Sequence, residues 1–391
     1  MIPDPRHAVH AVSESFQAAF RRPPTAITYA PGRIEVIGNH TDYNGGPVIG
    51  AAIDRGVWVA VASRDDGRAC LRTTQPGSAT VELPLNKIPP PLHAADAAWV
   101  NYPLGVIEAL GHFDLQRPVG FDYLALSDLP VGSGLSSSAA LELASALAFL
   151  QLTGQTCTPV KLAMIGRLAE NKFVGVPCGI LDQGVSAHGR AGHIVLIDCA
   201  ALAFQALPLP AGVEFWVFNT HNKHALIDGL YSTRHRECME AAKALGVRQL
   251  ADVDAARLAR DAAKLTAEQL ARATHVVAEI ARVHEMVAAL HACDLPTLGR
   301  LLAQSHDSSR LNFLNSTPEL DFLVERLLPM SGVHGARLTG GGFGGAVMAL
   351  TTAEFSFENA SAVTQAYSEH FGGPLEVLRL HPGGGAQVLA P

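Results

Sequence analysis

The sequence predicts an α+β protein in two halves, and three observations carry that expectation. Runs of β-branched and aromatic residues alternate with apolar residues at helical spacing along the whole chain. Pro and Gly crowd together over 207–212, between two strand-like runs, which marks a boundary. The 391 residues also exceed what a single hydrophobic core usually accommodates. The halves are therefore drawn as residues 1–209 and 210–391, each expected to hold strands and helices.

In the first half, Val9, Val12, Phe16 and Phe20 repeat at helical spacing over 8–20, and Pro23 and Pro24 stop the helix. A short strand over 25–29 leads into a polar, Gly-rich loop over 31–46. Positions 57–61, 69–73 and 80–85 read as strands separated by turn residues. Three prolines, Pro89 to Pro91, mark a loop before a helix over 99–112. A strand over 119–126 runs into a loop over 130–138, and helices follow over 139–152 and 160–173. A loop punctuated by Gly and Pro precedes a strand over 193–197.

The second half opens with a strand over 213–218. Helices follow over 228–245, 266–291, 295–304 and 318–327. Strands over 336–338 and 346–350 flank a run of glycines, and a last helix and a strand over 375–380 close the pattern. No repeat of 20–50 residues recurs.

Composition narrows the function. Hydrophobic residues make up 48% and charged residues 17%, which suits well-filled cores and excludes a disordered chain. The net charge is −7, from 29 Lys and Arg against 36 Asp and Glu, with no basic run. Such a chain has no electrostatic footprint for nucleic acid or an anionic membrane. Its six cysteines lie scattered without a Cys-x-x-Cys pair and read as reduced thiols. No signal-peptide pattern opens the chain and no run of about 18 apolar residues occurs, so a soluble, cytoplasmic protein is expected; a monomer is the first expectation, with an oligomer left open.

Four clusters carry chemistry. Gly132, Ser133, Gly134, Leu135, Ser136, Ser137 and Ser138 follow a strand and precede an apolar helix. Glycines for close approach and hydroxyls at a helix N-terminus suit phosphate. The loop lacks the Gly-Lys-Ser/Thr of a Walker A sequence, and Ser137 stands where a dinucleotide fold needs its third glycine. Arg33, Asn39, His40 and Asp42 fall within ten residues and offer donors and acceptors for a polyhydroxylated ligand. Asp182 follows Ile180 and Leu181, where a carboxylate is either a partly desolvated base or a buried helix cap. Glu170, twelve positions earlier, by itself reads as a solvated side chain. Finally, five glycines lie within Gly340 to Gly345, which suggests backbone closely approaching another element or a ligand.

Taken in order, the stretches 32–46, 130–140 and 339–345, with 173–183 and 231–238, resemble the galactokinases of the GHMP small-molecule kinase superfamily. The resemblance runs from about residue 25 to about 350. It implies an N-terminal domain like ribosomal protein S5 domain 2, a ferredoxin-like C-terminal domain, and ATP-dependent phosphorylation of a sugar at C1. By that resemblance Asp182 is the catalytic carboxylate and Arg33 the cation beside the transferred phosphoryl. Asn39, His40, Thr41, Asp42, Gly179 and Tyr231 would contact the sugar. The loop from Gly132 to Ser138, with Gly341 and Gly342, would hold ATP, and Ser138 with Glu170 would hold Mg²⁺. A helix N-terminus, a metal and an arginine are what phosphoryl transfer needs to handle its charge.

One residue departs from the family. Galactokinases usually carry Glu before the His-Thr-Asp triplet, facing the C6 hydroxyl; here Asn39 stands there. An amide still hydrogen-bonds a hydroxyl but no longer repels an anion. D-Galactose is the first substrate expected. The alternatives are a C6-altered sugar such as galacturonate, or a non-catalytic galactose and ATP sensor. The intact serines, Asp182 and Arg33 favour an enzyme over a sensor.

Overall fold

Strand-forming runs rich in Val, Ile and Ala build two sheets in the computed structural model, which describes residues 5–130, 134–223 and 227–390. After helix α1 (Pro5–Phe20) the first sheet takes β1 (Ala26–Ile37), β2 (Pro47–Ser63), β3 (Arg68–Thr73), β4 (Val81–Pro84), β5 (Phe121–Ser127), β6 (His193–Asp198) and β7 (Ala203–Pro208). Between them lie α2 (Asn101–His112), α3 (Ser137–Leu152), α4 (Pro159–Leu168) and α5 (Leu181–His188). The second sheet takes β8 (Val213–Lys223), β9 (Val333–Thr339), β10 (Gly344–Thr352) and β11 (Glu376–Leu380), ordered β11-β8-β10-β9 and antiparallel throughout. Its helices are α6 (Ile227–Ala244), α7 (Ala255–Asp261), α8 (Ala267–Ala292), α9 (Leu295–Ser308), α10 (Pro318–Leu327) and α11 (Phe357–Phe371). A last strand, β12 (Gln387–Ala390), crosses back to pair with β1, so the end of the chain rests on the first sheet.

The first core lies between this sheet and α2 to α5 and continues into the second half through Phe215 and Val217 of β8 and Leu301 and Leu302 of α9. The helix α3 is buried on almost every side through Ala139, Ala140, Leu143, Ala144, Phe149 and Leu150. A helix apolar all round belongs inside a fold rather than on its surface. The second core packs Trp216 and Phe218 of β8 against α10 and α11 through Leu320, Leu323, Val363 and Tyr367.

Several expectations need correction. The loop expected from residue 31 begins only after Ile37, because β1 continues through Pro31 and Gly32 and stays wholly buried. Gly32 is required at that point: a Cβ there would lie 2.6 Å from the Leu135 carbonyl oxygen. Its continuation, Arg33-Ile34-Glu35-Val36, alternates charged and apolar residues, which is the period of a strand with one polar face. The helix α5 hides within the stretch read as loop after 173, and β7, α7 and β12 were also absent from the sequence reading. The helix expected over 160–173 changes to π-helix over Ala169–Val174, which turns Glu170 inward. Among the described residues, no helix is long and apolar enough to cross a membrane, and all six cysteines are free.

Candidate active site

Two adjoining compartments meet at one carboxylate. Asp182 stands in the first turn of α5, and its Oδ1 accepts hydrogen bonds from Arg33 Nε (2.8 Å) and Nη2 (2.6 Å). Its Oδ2 accepts a bond from Ser136 Oγ at 2.6 Å. Arg33 spends its remaining arm on the Gly134 carbonyl at 2.7 Å, so its charge is fixed rather than free to swing. The pair joins β1, the serine loop and α5 at one point. Arg33, Asp182, Tyr231 and Gly341 line both compartments.

The first compartment, about 390 Å³, is walled by Glu35, Asn39, His40, Asp42, Cys178 and Gly179 besides the shared four. Its side chains are held by the protein before any ligand enters. His40 sits with left-handed backbone (φ 60°), its Nδ1 2.8 Å from the Tyr43 hydroxyl and its Nε2 3.0 Å from the Gly341 carbonyl. Burial pushes this imidazole down to about 3, so it is neutral; Nε2 donates to the carbonyl and Nδ1 accepts from the tyrosine. Asp42 accepts the amide of Tyr43 at 2.8 Å, and burial raises its carboxyl above the ordinary range. Gly179 is glycine because Asp42 is there: a Cβ at 179 would lie 1.7 Å from Asp42 Oδ2. The two residues, 137 positions apart in sequence, form a single fitted pair.

Asn39 is fully buried and fully used. Its Nδ2 donates to Glu35 Oε1 and to the Gly340 carbonyl, each at 2.9 Å, and its Oδ1 accepts from Asn315 Nδ2 at 2.8 Å. Thr41, also expected to contact the substrate, is not among the residues that line the compartment. Its hydroxyl lies 2.7 Å from the Gly38 carbonyl and 2.6 Å from that of Pro47, behind the wall, where it closes the loop. The loop is anchored from the second half as well. Glu279 Oε1 accepts the amides of Gly38 (3.0 Å) and Asn39 (3.1 Å), and His275 Nε2 lies 3.0 Å from the Asn39 carbonyl. Burial opposes ionising Glu279, but Arg282, His275 and Arg337 outweigh it and hold the carboxyl down at about 2.

The second compartment, about 320 Å³, is built mostly from backbone. Gly134, Leu135, Ser136, Ser137 and Ser138 form one side and Thr339 to Gly345 the other, including Gly341 and Gly342. Gly132 and Ser133 lie outside the described residues. The helix α3 starts at Ser137 on this wall, and the first-turn N–H groups of a helix, which have no partner within it, suit an anion. Ser136 and Phe343 adopt left-handed backbone here (φ 57° and 60°), as His40 does across the divide. Such conformations cost about 1–3 kcal/mol each and collect at functional sites. A smaller adjoining cavity of about 180 Å³, with Trp99, Tyr102, Leu129 and Leu141, shares Ser137 and Ser138 and is more apolar.

Glu170 is not solvated. It is buried beside Ser138, which hydrogen-bonds it, and it accepts from Gln183 Nε2 at 2.7 Å. Burial, then the charge of Asp182, raises its carboxyl. The same amide also donates to the buried Glu142 at 3.0 Å, whose Oε1 has no partner among the described residues. Crowded carboxylates of raised basicity are the surroundings a divalent cation relieves. Among the described residues no three His, Cys, Asp or Glu side chains converge as a metal cage.

The sequence reading assigned no role to Glu35, Gln183, Asn315 or the aromatic pair Trp99 and Tyr102. Only the alternation after Arg33 could have signalled the first; the others come from segments distant in sequence.

Comparisons with known proteins identify the family. Residues 14–63 match the galactokinase galactose-binding signature, 101–190 the GHMP kinases N terminal domain, and 286–373 the GHMP kinases C terminal model. A galactokinase of Mannheimia succiniciproducens is 39% identical over 364 residues, 91% of this chain and 93% of its own. The human galactokinase is 36% identical over 96% of this chain and 95% of its own. The structure of Lactococcus lactis galactokinase complexed with galactose superposes with a TM-score of 0.92 at 30% identity, covering 98% of this chain and 100% of that one.

Proposed function

The chain belongs to the galactokinase family of GHMP kinases, and from that premise we propose that it transfers the γ-phosphoryl group of ATP to the C1 hydroxyl of D-galactose. The observation that carries this reading is the junction itself: one carboxylate, braced from both sides, between a hydroxyl-binding compartment and an anion-binding one. Residues 1–209 supply most of the first wall, closed from 210–391 by Tyr231, Ser232 and Gly341, whereas the two halves share the second wall equally.

In this reading His40 and Asp42 hold sugar hydroxyls from fixed positions, and Gly179 leaves Asp42 the space to do so. Asp182 orients the C1 hydroxyl and accepts its proton as the oxygen–phosphorus bond forms and ADP departs. Arg33, anchored on Asp182 and the Gly134 carbonyl, sets a fixed positive charge beside the transferring group. A charge that need not reorganise during the reaction is the effective kind. Ser138 and Glu170 would hold Mg²⁺, which when bound neutralises phosphate charge. The serine loop and α3 N-terminus would receive the phosphates, with the purine against Trp99 and Tyr102.

The test is ADP release by the full chain with ATP, Mg²⁺ and a panel of hexoses. Galactose-dependent release with phosphate on C1 is the expected result. Release with another hexose but none with galactose overturns the substrate assignment.

A further inference from the structure

Position 39 was expected to meet C6 of the sugar, but its amide has nothing left to offer. Both Asn39 protons go to Glu35 and Gly340, and its oxygen takes the Asn315 amide. The group beside it is different. Glu35 lies two residues beyond Arg33 on β1, so the two share the strand face that lines the first compartment. Two strand residues span about 6.5 Å, close to one hexose length from the reacting end. Glu35 Oε1 is held by Asn39 Nδ2 (2.9 Å) and Arg337 Nη2 (3.0 Å). Among the described residues, none donates to its Oε2.

We propose that Glu35 is the residue that reads C6: its carboxylate accepts the C6 hydroxyl and repels a C6 carboxylate, while Asn39 holds it in place. This rests on the galactose reading of the site. The bland role for Glu35 is counter-ion to Arg337, which is entirely buried. That role does not require the carboxylate to line the cavity, yet it does. Burial raises the Glu35 carboxyl, and Arg337, the Asn39 hydrogen bond and Arg33 pull it back toward the charged form. The departure at Asn39 therefore moves the negative charge four residues back along the chain without removing it from the pocket. Galacturonate is accordingly rejected, despite the neutral residue at 39.

The experiment compares kcat/KM for galactose, 6-deoxygalactose and galacturonate in the native protein and in Glu35→Gln. Native protein is expected to favour galactose over both others. Glu35→Gln should reduce the galactose-to-galacturonate ratio at least tenfold, whereas loss of a merely structural ion pair would slow all three sugars alike. A folded Glu35→Gln protein with an unchanged ratio overturns the proposal. Because that variant leaves Arg337 uncompensated, the double variant Glu35→Asn with Asn39→Glu provides the second arm, returning one carboxylate to the pocket. It should fold and restore the ratio. A crystal structure of the native protein with galactose needs no variant: the C6 oxygen within about 3 Å of Glu35 supports the proposal, and C6 turned away from Glu35 overturns it. Native protein that ignores galactose altogether defeats the functional reading instead, a result separable from any of these ratios.

Discussion

The two compartments are built on opposite principles. In the first, the polar side chains from the loop after β1 are already tied: Asn39 to Glu35, Gly340, Asn315 and Ser309, His40 through both ring nitrogens, Asp42 to the Tyr43 amide and fitted against Gly179. In the second, the walls are glycine and serine backbone, and a Cβ at Gly345 would meet nothing within 4 Å. A sugar must be told apart from its epimers by hydroxyl geometry, which demands donors and acceptors that do not move. Triphosphate carries charge in any orientation, and backbone N–H groups at a helix end suffice for it. In the proposed reading, rigid side chains give selectivity on one side and open backbone gives adaptable anion binding on the other.

The strongest way to break this comparison is at the residue common to both sides. Asp182→Ala should lower turnover by ~10²–10⁴-fold or more while ATP binding, measured by calorimetry, persists. Near-native turnover would remove Asp182 from the chemistry. Next comes Gly179→Ala, whose methyl group collides with Asp42. It should reduce kcat/KM for galactose by roughly 10–100-fold and leave the KM for ATP nearly unchanged. Equal damage to both substrates would mean that the compartments are not independent.

Asn39→Glu alone sharpens the argument about the first compartment. It sets a second carboxylate against Glu35 in a buried place and removes a donor that Glu35 uses. The thermal midpoint should fall, by an amount matching about 2–4 kcal/mol, and a calorimetric scan reads it. On the second side, Glu170→Gln should raise the Mg²⁺ concentration needed for half-maximal activity, since Mg²⁺ prefers anionic oxygen. An unaltered Mg²⁺ dependence would make Glu170 a packing residue.

The smallest effect is on stability against pH. Burial holds His40 down at about 3 and His275 at about 4, so both are neutral in the folded state. Unfolding frees them to take up protons below about 6.5. The unfolded state then binds more protons, and stability falls as pH drops from 6.5 toward 4. His275→Gln should flatten that slope by roughly 1–3 kcal/mol over the interval, read from thermal midpoints at several pH values.

Local pattern carried the strongly periodic elements. The repeat of Val12 and Phe16 marked α1, and the stretch 318–327 was read to its end residues, because one face of each is apolar at helical spacing. Short buried pieces escaped. The helix α5 has eight residues and sits after a Gly- and Pro-rich stretch, and β12 owes its place to β1 at the other end of the chain, where Thr28 pairs with Val388. Glu170 read as a surface glutamate because nothing local reports that a π-turn rotates it toward Ser138 and Gln183.

By itself the sequence determined the α+β class, the glycine and serine motifs, and the chemical types present: a carboxylate, an arginine, hydroxyls and a flexible backbone. These are properties of a segment, encoded in period, turn chemistry and functional groups. Tertiary structure alone decided which atoms remain available. Asn39 is closed off by Glu35, Gly340 and Asn315, Thr41 by two carbonyls of its own loop, and Glu35 is brought beside the sugar-binding wall by strand alternation and Arg337. A hydrogen-bonding group can be spent only once, and which partner takes it depends on chain segments hundreds of residues apart.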